Sequence, residues 1–144
     1  MLNIRLLVVG GLKEKYFVDA VGEYLKRLTK YCKIEIVEIK ESDKRKESQQ
    51  IREKLKGHVI LCDIGGEIIS SEQLAEKIGK ISMTSSTVTF VIGGSDGVDD
   101  ELRAVINERI SFGRITLPHQ LFRVVLTEQI YRAFTIIKNE RYHK

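Results

Sequence analysis

Three glycine-containing loops and two groups of titratable side chains are the places in this sequence where chemistry can sit. Val-Ile-Gly-Gly-Ser-Asp-Gly, residues 91–97, follows a β-branched run and precedes an acidic helix start. That is where open α/β sheets bind ligands, at the carboxyl ends of their strands. Gly93 and Gly94 lack side chains and can take positive φ, so a ligand can lie directly on the main chain. A double glycine is equally an ordinary strand-to-helix turn. Cys62 to Glu67 and Phe112 to His119 occupy equivalent positions after strands, so the three loops can wall one pocket that reads a small molecule by backbone contacts. In the third loop Gly113 interrupts a strand-like run and Pro118 presets the entry to the last helix. His119 and Arg123 lie one helical turn apart, a spacing that suits catalysis but also suits a helix-start histidine and an arginine paired with a carboxylate. The terminal Glu140-Arg141-Tyr142-His143-Lys144 offers an aromatic ring, an imidazole and a cation, although most chain ends are frayed and idle.

The elements that must position these groups alternate in period. Short β-branched runs at Ile4–Val9, Ile34–Ile39, Val59–Ile64, Val88–Ile92 and Ile110–Ile115 predict five strands, mostly continuous as in a parallel sheet covered on both faces. Between them, Phe17, Val21, Tyr24, Leu25 and Leu28 mark one helix, Ile51 and Leu55 a weaker one, and Leu74, Ile78 and Ile81 a third that Ser70 and Gln73 open with a capping box. Asp99, Asp100 and Glu101 open a fourth, whose buried side would be Leu102, Val105 and Ile106. After the only proline, His119–Lys138 form the longest helix. Its apolar surface, with Leu121, Phe122, Val125, Leu126, Ile130, Phe134 and Ile137, is wider than one sheet contact needs, which favours a helix shared with another subunit. The charged stretch Lys40–Lys46 reads as an exposed, mobile loop.

Composition limits the classes. At 144 residues, 42% hydrophobic and 31% charged, the chain reads as one α/β domain over residues 1–144, with a mostly parallel sheet of five or six strands flanked by helices. No apolar run approaches a bilayer span or a signal peptide, so a cytoplasmic protein without membrane contact is expected. Cys32 and Cys62 have no ligand-like spacing, and neither a metal site nor a disulfide is indicated. The net charge of +4 fits nucleic acid and a solvated surface equally. Gly-x-Gly-x-x-Gly and Gly-x-x-x-x-Gly-Lys-Ser/Thr are both absent. A non-catalytic RNA- or ribosome-binding dimer and a flavodoxin-like nucleotide-binding domain remain as alternatives on these grounds.

The sequence also resembles a known family, the SPOUT-class ribosomal RNA large subunit methyltransferase H proteins. The resemblance runs end to end and is carried by Leu-Leu-Val-Val-Gly-Gly-Leu-Lys-Glu-Lys-Tyr at 6–16, Phe-Val-Ile-Gly-Gly-Ser-Asp-Gly at 90–97, the stretch from Thr116 to Phe134 and the terminal Tyr-His-Lys. It implies a carboxyl-terminal trefoil knot, where general rules lead to an unknotted doubly wound sheet. It further implies S-adenosylmethionine as cofactor, a homodimer packed through the knotted regions, and methylation of a pseudouridine at N3 in large-subunit ribosomal RNA within the ribosome. By resemblance, cofactor contacts fall on Cys62, Gly93, Phe112, Gly113, Arg114, Ile115, Thr116 and Leu117, with cysteine at 62 where the family usually has leucine. Arg123, Tyr142 and His143 match positions that serve the nucleotide, the tail reaching toward the partner's cofactor site, and His119 is a further catalytic candidate.

Overall fold

The computed structural model describes residues 1–144. Its five strands are β1 (Asn3–Val9), β2 (Lys33–Ile39), β3 (His58–Ile68), β4 (Thr87–Ile92) and β5 (Glu108–Ser111). They form one sheet in the order β2-β1-β4-β3-β5, and every pairing is parallel. The helices are α1 (Lys15–Leu28), α2 (Lys44–Glu53), α3 (Ser71–Ser82), α4 (Asp100–Arg103) and α5 (His119–Ile137).

Side chains of a strand point alternately to the two faces, and here both faces are buried. Ile4, Leu6 and Val8 of β1 join Phe90, Ile60 and Ile110 beneath Leu28 of α1, Leu74 and Ile78 of α3, and Leu126, Ile130 and Phe134 of α5. Leu7 and Val9 turn the other way, joining Val59, Leu61 and Val91 beneath Ile51 of α2 and Leu102 of α4. This two-sided cover is why the strands read as continuous apolar runs. β2 lies at the edge, as its interleaved Glu35 and Glu38 suggest.

The local start signals act as expected at two helices. Ser70 and Gln73 form a reciprocal capping box at α3, and Asp99 accepts the Leu102 N–H at α4. Elsewhere the boundaries move. β5 ends at Ser111 rather than Ile115, because Ser111 Oγ accepts the Gly113 N–H at 3.1 Å and donates to the Gly113 carbonyl at 2.7 Å, turning the chain out of the sheet. β3 continues through the expected 62–67 loop to Ile68, with a register shift against β5 between Cys62 and Glu67. The charged stretch is half helix: Asp43 caps Lys46 N–H, so α2 starts at Lys44. α4 is a single turn, and Val105 is 50% exposed rather than buried.

From β5, at one edge, the segment 112–118 returns to the carboxyl ends of β4 and β1 before α5 begins, and α5 then packs between α1 and α3. This return past the β3 and β4 loops is consistent with the knotted path that the resemblance implies.

Candidate functional site

The middle of β3 and the loops after β4 and β5 converge on one cavity of about 440 Å³. Its floor and one wall are apolar, with Leu61, Ile92, Ile110 and Leu117, and the rings of Phe112 and Phe122 sit 5.5 Å apart. Main chain makes much of the rest. In the β4 loop Gly97 N–H donates to the Gly94 carbonyl at 2.9 Å, and Gly97 holds φ +76°. Gly113 holds φ +131°, and a Cβ there would project into open space with no atom within 4 Å. Only glycine takes that backbone conformation without strain.

Seven of the eight expected cofactor residues line this cavity: Cys62, Gly93, Phe112, Gly113, Ile115, Thr116 and Leu117. Arg114 does not. It points across the lip, where its guanidinium donates to the Ile64 carbonyl and ties the β5 loop to the β3 segment. Gly93 and Gly94 also correct the expectation of positive φ, since neither adopts it. Their small size serves close approach instead: a Cβ on Gly93 would lie 2.9 Å from Val98 Cγ1, and one on Gly94 would lie 2.5 Å from Glu47 Oε1.

Two lining residues escaped the sequence reading. Asp63 accepts from Arg103 at 2.9 Å and from Arg109 at 3.1 Å. Burial pushes its carboxyl pKa up, but the Arg103 and Arg109 guanidiniums and the Gly65 N–H outweigh burial and hold it below the ordinary carboxylate value. Arg103 is thereby fixed at the cavity wall. Cys62 is the reverse case, an uncharged thiol whose pKa burial pushes up to about 12, with Asp63 adding to the rise. It is therefore no nucleophile at neutral pH.

A second, mostly polar pocket of about 310 Å³ adjoins the first and shares Gly94, Ser95 and His119 with it. His119, the first residue of α5, thus stands between the two. Arg123, one turn on, lines only the polar pocket. It is 3% exposed, donating to Glu38 at 2.9 Å and to the Gly10 carbonyl at 2.8 Å, so it clamps α5 to the ends of β1 and β2. Its Nε–H is buried without an acceptor. Glu47, also on this pocket, is 5% exposed and directly follows the stretch read as a mobile loop. The signal was its position four residues before Ile51, which puts a carboxylate on the buried side of α2.

Tyr142 and His143 line neither pocket. The tail is nevertheless docked rather than frayed. Tyr142 Oη donates to Glu128 at 2.8 Å and its ring meets Tyr131 edge-on at 4.7 Å. Burial first, and the Glu128 carboxylate second, push the Tyr142 hydroxyl pKa upward, so it stays a neutral donor. His143 lies 2.7 Å from Glu72 and 3.1 Å from Arg132. Within one chain, then, the expected catalytic residues do not share a site: His119 and Arg123 are at the pockets, while Tyr142 and His143 lie along the side of α5.

The ribosomal RNA large subunit methyltransferase H of Oenococcus oeni is 48% identical over 160 aligned residues that cover 100% of both chains. That of Clostridium beijerinckii is 45% identical, covering 99% of this chain and 100% of its own. Among solved structures, a probable methylase family protein from Haemophilus influenzae Rd KW20 superposes with a TM-score of 0.54 at 10% identity, over 94% of this chain and 66% of that one, a likeness of fold alone. The family described as predicted SPOUT methyltransferase matches residues 2–143, and to that family this chain belongs.

Proposed function

We propose that this protein is an S-adenosylmethionine-dependent methyltransferase that acts, as a cytoplasmic homodimer on the ribosome, at N3 of a pseudouridine in large-subunit ribosomal RNA. The single observation that carries the reading is the 440 Å³ cavity, walled in part by the β4 loop and the segment that enters α5, two of the stretches through which the chain resembles its family. The cavity fits the cofactor: it has apolar walls, exposed main chain for an adenine edge and, at Gly113, a cradle that a side chain would fill. Cys62, Gly93 and residues 112–117, Arg114 by its main chain only, would hold S-adenosylmethionine, which supplies a methyl group activated on a sulfonium.

The chain's own residues orient and discharge the reaction. Holding nucleophile and methyl in line accounts for much of the rate in such transfers. His119, between the two pockets, is placed to contact both ligands, and Arg123 offers a fixed positive charge beside the polar pocket. The homodimer is supported by apolar groups left uncovered at the cavity rim, where Ile64 is 47% and Ile115 83% exposed. Across such an interface the tail, which reaches neither pocket of its own chain, would serve the other protomer's site, with Tyr142 packing on a base and His143 contacting it.

Methyl transfer from labelled cofactor to ribosomes lacking the modification tests the reading. Label in large-subunit RNA of intact particles, and little in naked RNA, is the expected result. No transfer to either, with no cofactor binding by calorimetry, overturns it and favours a non-catalytic RNA-binding dimer.

A further inference from the structure

Glu47 is the one buried carboxylate of the chain, and it lines the polar pocket. It is 5% exposed, no cation of the chain pairs with it, and its one hydrogen bond is Oε2 accepting the Ser42 N–H at 2.9 Å. Its Oε1 takes no hydrogen bond from the chain, which leaves that oxygen available to a ligand in the pocket. Its Oε1 lies over Gly94, at the wall between the apolar cavity and the polar pocket. Arg123 is the complementary anomaly in the same pocket: 3% exposed, with an Nε–H that has no acceptor. A carboxylate oxygen without a donor and a guanidinium whose two terminal nitrogens hold one acceptor each, both lining one polar pocket, match a planar ring that carries an N–H beside a carbonyl.

We propose that the polar pocket seats the target base as an imide ring, with Glu47 taking the ring proton and Arg123 stabilising the charge that develops on the ring carbonyls. This rests on the methyltransferase reading and names its base subsite and proton acceptor. The ring N3 forms the new bond to the methyl carbon as the carbon–sulfur bond breaks with its electron pair going to sulfur. The N3 proton passes to Glu47 Oε1, and the carboxylic acid then returns it to water. Gly94 is glycine because any Cβ would displace that oxygen.

The alternative role for Glu47 is structural, as an acceptor that holds the Ser42 N–H. Glu47→Gln separates the two, since its amide oxygen still accepts that N–H but cannot take a proton. We expect Glu47→Gln to keep its thermal midpoint and its calorimetric affinity for S-adenosylmethionine, and to lose about 100-fold or more in single-turnover methyl transfer to ribosomes at neutral pH. Glu47→Asp, with the carboxylate one methylene shorter, should recover at least about tenfold over the glutamine variant. The glutamine deficit should narrow at alkaline pH, where the imide ionises unaided. The other charged groups around Glu47 are Lys13 from the β1–α1 loop, Glu38 and Glu41 from the β2 end, Asp99 at α4, and His119 and Arg123 of α5. Their titration is common to wild type and variant, so the ratio of the two rates isolates Glu47. A glutamine variant within about threefold of wild type at neutral pH overturns the proposal, since general-base catalysis is worth far more. So does one that loses stability and cofactor affinity together with rate. A wild-type protein that methylates no ribosome fails the functional reading itself, which the variants do not test.

Discussion

The two pockets at the strand ends share Gly94, Ser95 and His119 yet are built in opposite ways. The larger is walled by main chain and apolar side chains from the middle of β3 and from the loops after β4 and β5. The smaller is walled by polar side chains from the β1–α1 loop, the segment after β2, α2, the β4 loop and α5. A cavity made of backbone depends on where the chain runs and tolerates changes of side chain. A pocket made of charged groups depends on their identity, because each buried charge needs its partner.

The sharpest way to break the first pocket is to give its main chain a side chain. Gly113→Val places a β-branched group in the open space of the cavity and at a φ that valine resists, so S-adenosylmethionine affinity should fall by about 100-fold or more in calorimetry. The polar pocket should survive, and retained thermal stability to within about 2 kcal/mol would show it.

Arg123→Met tests the second pocket through its clamp. It strips the charged hydrogen bonds from the Gly10 carbonyl and from Glu38, and should cost about 2–3 kcal/mol in urea unfolding. Arg123→Lys should recover only part of that, since an ammonium cannot bridge two acceptors as the planar fork does. Full recovery by lysine would make this a simple charge requirement.

The tail should separate stability from activity. Deleting Tyr142–Lys144 removes the Tyr142–Glu128 hydrogen bond and the edge contact with Tyr131, for a loss of about 1 kcal/mol, more than a frayed end would show. If the tail serves a base across a dimer interface, transfer to ribosomes should fall by at least about fivefold, from about 1–3 kcal/mol of base stacking. Full activity after the deletion would leave His119 and Arg123 as the nucleotide contacts.

The smallest effect is expected at Cys62→Leu, which installs the residue usual in the family. If cofactor contact there is through the main chain, affinity should change by less than about threefold, or about 0.7 kcal/mol. A tenfold gain would mean that the side chain matters and that the main-chain account of the larger pocket is incomplete.

Much of the larger pocket was legible before the fold was seen, because its signals are local. Continuous apolar strands mark a sheet covered on both faces, and the ends of such strands mark the ligand side. Its departures from the sequence pattern are also local. The Arg114 side chain lies at the lip, donating to the Ile64 carbonyl, and the Ser111–Gly113 turn ends β5 four residues before the apolar pattern does. Glu47 went unread because its setting is made by a cap at Asp43, an apolar anchor at Ile51 and a distant loop at Gly94.

By itself, then, the amino-acid sequence determined the parallel sheet, the caps of α3 and α4 and the glycine-bearing loops after β4 and β5, since side-chain period and capping act over a few residues. Only the tertiary structure decided that Glu47, Gly94 and Arg123 meet around one space, that Arg123 there holds Gly10 and Glu38, and that the tail lies along α5 rather than over its own cavity. Those residues are up to 113 positions apart in the chain. What joins them is the strand order β2-β1-β4-β3-β5, which sets the end of β1 between those of β2 and β4. No periodicity encodes that order, because it follows from how both faces of the sheet find cover at once.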